Sequence, residues 1–226
     1  MITDFSVLDL FCCQGGASRG YELSGAAVYG VDLEPQPRYP YAFVQADAIQ
    51  FVYGHADWIR QNISFVHASP PCQRYTVMQV IHDNDHPDLI DPTREALEWL
   101  GIPYVIENVA GARSEMIDPV ELCGAMFGLH TYRHRLFEPG QDFTFQAPAH
   151  IPHPETCIQL GRRITPGDYY HAVGNFSGVS VVRDDWNVPW MNRDGVREAI
   201  PPAYTRWIGE QFLAWRPTDP AGAPLP

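Results

Sequence analysis

The sequence predicts an α/β fold: a doubly wound, mostly parallel sheet covered by helices on both faces. Three observations carry this expectation. Short apolar runs of strand length recur along the first half of the chain. Stretches with helical character stand between them. Each run stops at glycine or at a polar residue. The elements follow in order. Residues 7–11 form an apolar run that leads to Gly15-Gly16, and 17–23 suit a helix closed by Gly25. Residues 26–31 form a second run ending at Asp32, 44–47 a shorter third, and 64–68 a fourth that leads into Ser69-Pro70-Pro71-Cys72. Asp91 is placed to cap a helix with Pro92 first and Gly101 just past its end, burying Ala96, Leu97 and Leu100. Residues 103–106 are another strand, ending at Glu107-Asn108. The stretch 139–171 is rich in Pro, His and Gly and has weak periodicity. Pro201-Pro202 opens a final helix with Trp207, Ile208, Phe212 and Trp215 mostly on one face. The Pro/Ala/Gly-rich residues 216–226 are expected to be disordered.

Length and composition bound the rest. At 226 residues the chain reads as one domain plus at most a small appendage. No apolar run is long enough to cross a bilayer, so no membrane partner is expected. The N-terminus lacks the basic start and apolar stretch of a secretion signal, which makes the cytosol the default location. An odd number of cysteines, five, argues against a disulfide framework and for free thiols. The formal net charge of -12 is awkward for a nucleic-acid enzyme, because phosphate contacts supply much of the affinity. Arginines would have to gather on one face, or a partner would have to help. By composition alone, a small-molecule enzyme is favoured.

Six features, each at the end of a strand or on an extended segment, carry the chemistry. The stretch Asp9-Leu10-Phe11-Cys12-Cys13-Gln14-Gly15-Gly16 runs from strand through glycines into helix. There the backbone approaches a ligand closely and a helix N-terminus offers N–H donors. Asp32 stands where an acid accepts both ribose hydroxyls of a nucleoside cofactor, and Asp47 where one meets an adenine amino group. Ser69-Pro70-Pro71-Cys72-Gln73 is a proline-stiffened loop that presents a thiol above the sheet. Glu107-Asn108-Val109 brings a carboxylate to the neighbouring strand end. Arg133 and Arg135 project to one side of an extended segment.

This ordered set resembles the motifs of the DNA cytosine-C5 methyltransferase family. The likeness covers roughly residues 5–138 and 172–213, where Gly174-Asn175 and Ala199-Ile200-Pro201-Pro202 are similar to pieces of the family's last motif. It implies a methyltransferase (Rossmann-like) fold that uses S-adenosyl-L-methionine and acts on cytosine in DNA. The implied organisation is a catalytic and cofactor-binding domain over 1–138, a reduced target-recognition segment over 139–173, and a C-terminal segment over 174–215 that packs back. The resemblance makes Cys72 the nucleophile at cytosine C6, with Glu107 contacting N3 and the amine, Arg135 on the O2 side, and Arg133 nearby. Cofactor contacts are implied for Phe11, Cys13, Gly15, Gly16, Asp32, Leu33, Asp47, Ala48, Pro70 and Asn175. Gln73, Arg74, Tyr75 and Asn108 would contact substrate.

Two departures from the family pattern stand out. Cys13 occupies the place of the first glycine in the family's loop, where a Cβ strains the turn or narrows the cofactor pocket. The region between the arginine motif and the last motif is short, which leaves few side chains to read bases and implies relaxed specificity or a specificity partner. That compact form resembles methyltransferases encoded by bacteriophages. His150, His153 and Cys157, with His171, invite a zinc reading, but their spacing matches no strong template, and the sequence assigns a His-rich loop and no metal. Trp186, Trp190 and Trp207 are assigned to the core. Three alternatives stay open: a tRNA-type cytosine methyltransferase, a catalytically impaired homologue that only binds nucleic acid, and a nicotinamide-dependent oxidoreductase, which would leave Pro-Cys-Gln without a role.

Overall fold

The computed structural model describes residues 5–71, 88–153, 155–158 and 162–215. The expected tail at 216–226 lies outside them. Seven strands form one sheet: β1 (Ser6–Leu10), β2 (Ala27–Asp32), β3 (Ala42–Gln45), β4 (Phe65–Ala68), β5 (Tyr104–Val109), β6 (Val120–Leu122) and β7 (Arg135–Gly140). Their order is β3-β2-β1-β4-β5-β7-β6. The first five are parallel, and the chain reverses direction in sequence between β1 and β4, which makes the sheet doubly wound. β7 runs antiparallel to both β5 and β6. The sequence reading did not anticipate this antiparallel edge, because residues 120–122 are too short a run to stand out.

Apolar residues on both sides of the parallel strands explain the double cover. One face carries Leu8, Leu10, Val31, Val66 and Ile106 and is covered by α2 (Ala48–Gly54), α3 (Ala56–Asn62) and α4 (Ile90–Leu100). The other carries Val7, Val28, Phe65, Val105 and Phe137 and is covered by α1 (Gly16–Leu23) and α7 (Pro202–Trp215). A third cluster, from Ile164 to Ala199, is built around α5 (Val179–Trp186) and α6 (Arg193–Glu198). Trp186 is buried within it, while Trp190 and Trp207 are partly buried against their clusters. Between β7 and α5 the described residues hold no helix or strand. No helix among the described residues is long and apolar enough to cross a membrane.

Several boundaries differ from the sequence expectation. The third strand is Ala42–Gln45, so Asp47 does not end a strand; it caps α2, accepting the Gln50 N–H at 2.8 Å. The α4 helix starts before Asp91. Asp88 accepts the Ile90 N–H at 3.1 Å, and Asp91 lies in the first turn, paired with Arg94. Gly101 closes α4 in the left-handed conformation, as expected. Arg94 also makes a two-pronged contact with the buried Glu138 of β7 (2.6 and 2.9 Å), tying α4 to the antiparallel edge.

The α1–α7 contact depends on Gly20. A Cβ there would lie 2.0 Å from Thr205 Oγ1 and 2.1 Å from the Pro202 carbonyl oxygen. Thr205 uses the space to donate to the Ala17 carbonyl at 2.8 Å. Gly20→Ala is expected to destabilise the protein by about 1–3 kcal/mol through overpacking. Urea unfolding with an unchanged slope checks this; a neutral outcome would show that the two helices separate freely.

Candidate active site at the carboxyl edge of the sheet

The glycine loop leaves β1 and turns sharply. Phe11 (φ 60°) and Cys13 (φ 45°) both take the left-handed conformation that glycine favours. Cys13 therefore keeps the backbone of a glycine position while carrying a side chain. Gly15 (φ 83°) begins α1, and a Cβ on Gly16 would meet the Ile200 carbonyl oxygen at 2.6 Å. The loop is held by Asp32, whose two oxygens accept the N–H groups of Cys13 and Glu34, each at 2.9 Å. A carboxylate oxygen has a second lone-pair site, so Asp32 retains acceptor capacity for a pair of hydroxyls. Asp47 likewise spends one oxygen on its helix cap. The donor set of a loop with bare backbone, Asp32 and Asp47 fits a nucleoside cofactor. Leu33 is exposed, Ala48 is buried in the core under α2, and Asn175 is exposed.

Gln14, which the sequence reading did not single out, fastens the loop to the C-terminal segment. Its amide donates to Asn192 Oδ1 at 2.9 Å and accepts the Asn192 N–H at 3.2 Å, while its carbonyl accepts the Trp190 indole N–H at 2.7 Å.

The two cysteines of the loop are poorly placed for nucleophilic chemistry, which needs the thiolate. Burial, reinforced by Asp9 and Asp32, pushes both thiols above their ordinary range and so disfavours the thiolate.

Glu107 is the centre of the second half of the site. It is buried at the end of β5. Arg135 Nε lies 3.0 Å from its Oε1, but that oxygen accepts no directed hydrogen bond, so the contact is an ion pair with acceptor capacity to spare. Burial raises the Glu107 pKa; Arg135, Arg133 and the Ser69 hydroxyl pull it back. Asn108 donates to the Pro70 carbonyl at 3.1 Å and accepts the Val109 N–H at 2.9 Å. The backbone two residues before Cys72 is thus held next to Glu107. Cys72, Gln73, Arg74 and Tyr75 themselves lie outside the described residues.

Arg133 has a different environment from Arg135. Its guanidinium donates to the carbonyls of Ala199 (3.0 Å), Ala172 (3.2 Å) and Arg197 (2.6 Å), and lies over the Trp186 ring. That geometry braces the C-terminal segment against the start of β7. It leaves Arg133 the positioning role, and Arg135 is the arginine that faces the carboxylate.

A buried polar chain behind Glu107 was missed from the sequence, although a histidine inside the apolar strand Phe65-Val66-His67-Ala68 was a signal. His67 Nδ1 lies 3.0 Å from the Tyr21 hydroxyl and Nε2 2.8 Å from Ser69 Oγ. The Ser69 hydroxyl in turn is near enough to Glu107 to lower its pKa. In one direction Tyr21 donates to Nδ1 and Nε2–H donates to Ser69, which leaves the Ser69 hydroxyl hydrogen to point toward Glu107. This requires neutral His67, and burial lowers its pKa from 6.5 to about 3. Beside it in register sits Asp9, where burial raises the pKa from 3.8 to about 7 against the hydrogen bond from Ser18.

An apolar cavity of ≈ 340 Å³ lies elsewhere, at the β2–β3 edge against α2 and α3, lined by Tyr29, Phe43, Phe51 and Trp58. None of the carboxylates named above lines it, so it is separate from this site.

No family model matches the chain, and no curated protein matches it. Among solved structures, it is similar to a protein described as a DNA modification methyltransferase encoded within an E. coli prophage, at 21% identity over 59% of this chain and 45% of that one, with a TM-score of 0.45. It is also similar to a mutant of Spodoptera frugiperda DNMT2 (18% identity, 67% of this chain, 56% of that one, TM-score 0.43). A third is the Dnmt2 methyltransferase of S. pombe (17% identity, 63% of this chain, 52% of that one, TM-score 0.41). The chain thus spans between 45% and 56% of the length of these structures. The α/β assignment rests on the sheet order described above.

The two buried groups make opposite contributions to stability. His67 stays neutral in the fold, so acidification below 6.5 favours the unfolded chain until about pH 3. Asp9 holds its proton up to about 7, so acidification over the window from 7 to 3.8 favours the fold. Relative to the wild type, His67→Gln is expected to gain about 2–3 kcal/mol between about pH 7 and about pH 4.5, and Asp9→Asn to lose a similar amount. Urea titrations at the two pH values measure both. Parallel pH profiles for all three proteins would show that neither group titrates abnormally.

Proposed function

We propose that the protein methylates cytosine at C5 in DNA, with S-adenosyl-L-methionine as methyl donor and Cys72 as nucleophile. The observation that carries this reading is the buried Glu107 carboxyl group, paired with Arg135 and adjoining the Asn108–Pro70 tie at the base of the Pro-Pro-Cys-Gln loop. The ordered motifs that resemble the cytosine-C5 methyltransferase family support it, from the glycine loop to Arg135.

Cytosine C5 is too electron-poor to attack an electrophile directly. The Cys72 thiolate adds to C6, forming the S–C6 bond, and the displaced ring electrons are taken up as Glu107 delivers a proton to N3. Burial suits Glu107 to that task, because it raises the pKa of the carboxyl group and so favours the protonated form that a proton donor needs. Arg135 orients the carboxyl group and holds the O2 side of the base. Arg133, its donors engaged by three carbonyls, keeps the start of β7 in place. When bound, S-adenosyl-L-methionine supplies an electrophilic methyl group to C5. Asp32 would hold its ribose hydroxyls, Asp47 its adenine amine, and the Phe11–Gly16 backbone its methionine end. Loss of the C5 proton to water then expels the Cys72 thiolate, and the N3 proton returns to Glu107, which restores the neutral aromatic base and the starting carboxyl group. In a duplex the cytosine must be flipped out of the stack. Few residues lie between β7 and α5 to read the flanking bases, which supports a short recognition sequence.

With labelled donor and mixed-sequence DNA, the wild-type protein is expected to form 5-methylcytosine, detected by mass spectrometry. Cys72→Ala should abolish product while donor binding persists in calorimetry. Glu107→Gln should slow turnover by about 10²-fold or more. DNA containing 5-fluorocytosine should trap a covalent complex with the wild type alone. Turnover by Cys72→Ala would remove the thiol from the mechanism, and label entering tRNA but not DNA would assign the RNA reading.

A further inference from the structure

We propose that the chain carries a structural zinc site made by Cys123, His134, His150 and His153. Their ligand atoms all lie within 4.8 Å of one another. Cys123 Sγ is 3.4 Å from His153 Nε2, and His134 Nε2 is 3.4 Å from His150 Nε2. Zinc–nitrogen bonds of 2.0–2.1 Å and a zinc–sulfur bond of 2.3 Å give tetrahedral edges of about 3.3 Å between nitrogens and about 3.6 Å between sulfur and nitrogen. Two of the observed separations already match such edges, and the widest must close by little more than about 1 Å.

The fold builds the first half of this site by register. In the β6–β7 ladder Val120 faces Phe137 and Leu122 faces Arg135, so the next pair outward is Cys123 and His134. The Gly124 N–H donates to the Tyr132 carbonyl at 2.9 Å and holds the two strands together beyond the ladder. His150 and His153 supply the other half from the irregular segment after β7. The Tyr132 ring stacks on His153 at 3.7 Å and 6°, and its hydroxyl donates to the Glu155 carbonyl at 2.5 Å. The Glu121 carboxylate lies 3.7 Å from His134 Nε2 and adds negative charge beside the set. Four converging lone-pair donors of soft and borderline type, in a closed set with no open position, are the chemistry of a structural zinc site.

The proposed set differs from the one weighed in the sequence, which was assigned to a His-rich loop without metal. Cys157 and His171 fall outside the set, while Cys123 and His134 enter it. The sequence separation between Cys123 and His150 hid the site, because only the antiparallel edge brings them together. His134 stands between Arg133 and Arg135, so the metal would brace the strand that presents Arg135. The inference does not depend on the reaction proposed above.

Untagged full-length protein, dialysed against metal-free buffer, is expected to retain about one zinc per chain by plasma mass spectrometry. After chelation, added Co²⁺ should produce the intense visible bands of tetrahedral cobalt and a thiolate-to-cobalt charge-transfer band. Cys123→Ser should lose the charge-transfer band, and His150→Ala, at an exposed residue, should lose stoichiometric metal while keeping its circular dichroism spectrum. Cys157→Ser and His171→Ala should keep both signals. Wild-type protein that neither retains zinc nor gives tetrahedral cobalt bands overturns the proposal. So does a spectrum abolished by Cys157→Ser but unchanged in His150→Ala.

Discussion

A carboxyl group buried at the end of a central strand is the constraint around which this structure is arranged. Glu107 cannot be ionised without a partner at that depth, because desolvation costs far more than an exposed carboxylate would meet. The antiparallel β7 answers this by setting Phe137 opposite Glu107 and Arg135 two residues along, opposite Val109, so that Arg135 reaches the carboxylate from the neighbouring strand. A parallel strand there would bring its own carboxyl end to the site and its arginine from elsewhere. The reversal is therefore part of the chemistry as well as of the sheet.

The interior on the α1 side of the sheet is more polar than a core of this size needs for packing. Asp9, His67 and Glu107 all face it, and each is coupled to a hydroxyl: Ser18, Tyr21 with Ser69, and Ser69 respectively. Buried polar groups of this kind stabilise only when every member is satisfied, and they specify one arrangement when they are. The chain from Tyr21 to Glu107 links the first helix to the carboxyl edge, so the orientation of the Glu107 carboxyl group depends on residues far from it in sequence.

The C-terminal segment is joined to the site by contacts of a similar kind. Gln14 binds Asn192 and Trp190, Arg133 binds the carbonyls of Ala172, Arg197 and Ala199, and Gly16 leaves space for Ile200. These are mostly backbone interactions. They leave few constraints on side-chain identity in the segment, which is why its motifs are the faintest part of the sequence pattern. After β7 the chain is anchored by Phe143 and Phe145 in the core on the α1 side and by Ile164 and Tyr170 in the C-terminal cluster, and His150 and His153 lie on the segment between them.

What the sequence determined by itself was local. Apolar runs of strand length, each ended by glycine or an acid, were enough to expect the parallel β1–β5 unit and the position of Asp32 at its edge. Pro-Pro-Cys-Gln and Glu-Asn-Val were legible because residue type, strand end and order coincide within a few positions. The tertiary structure decided everything that rests on pairing between distant segments. Asp47 became a helix cap, Arg133 a brace, His67 a link to Glu107, and Cys123 a neighbour of His150. None of these follows from periodicity, since a side chain's role depends on what a strand register or a helix contact sets opposite it, and those partners lie tens of residues away along the chain.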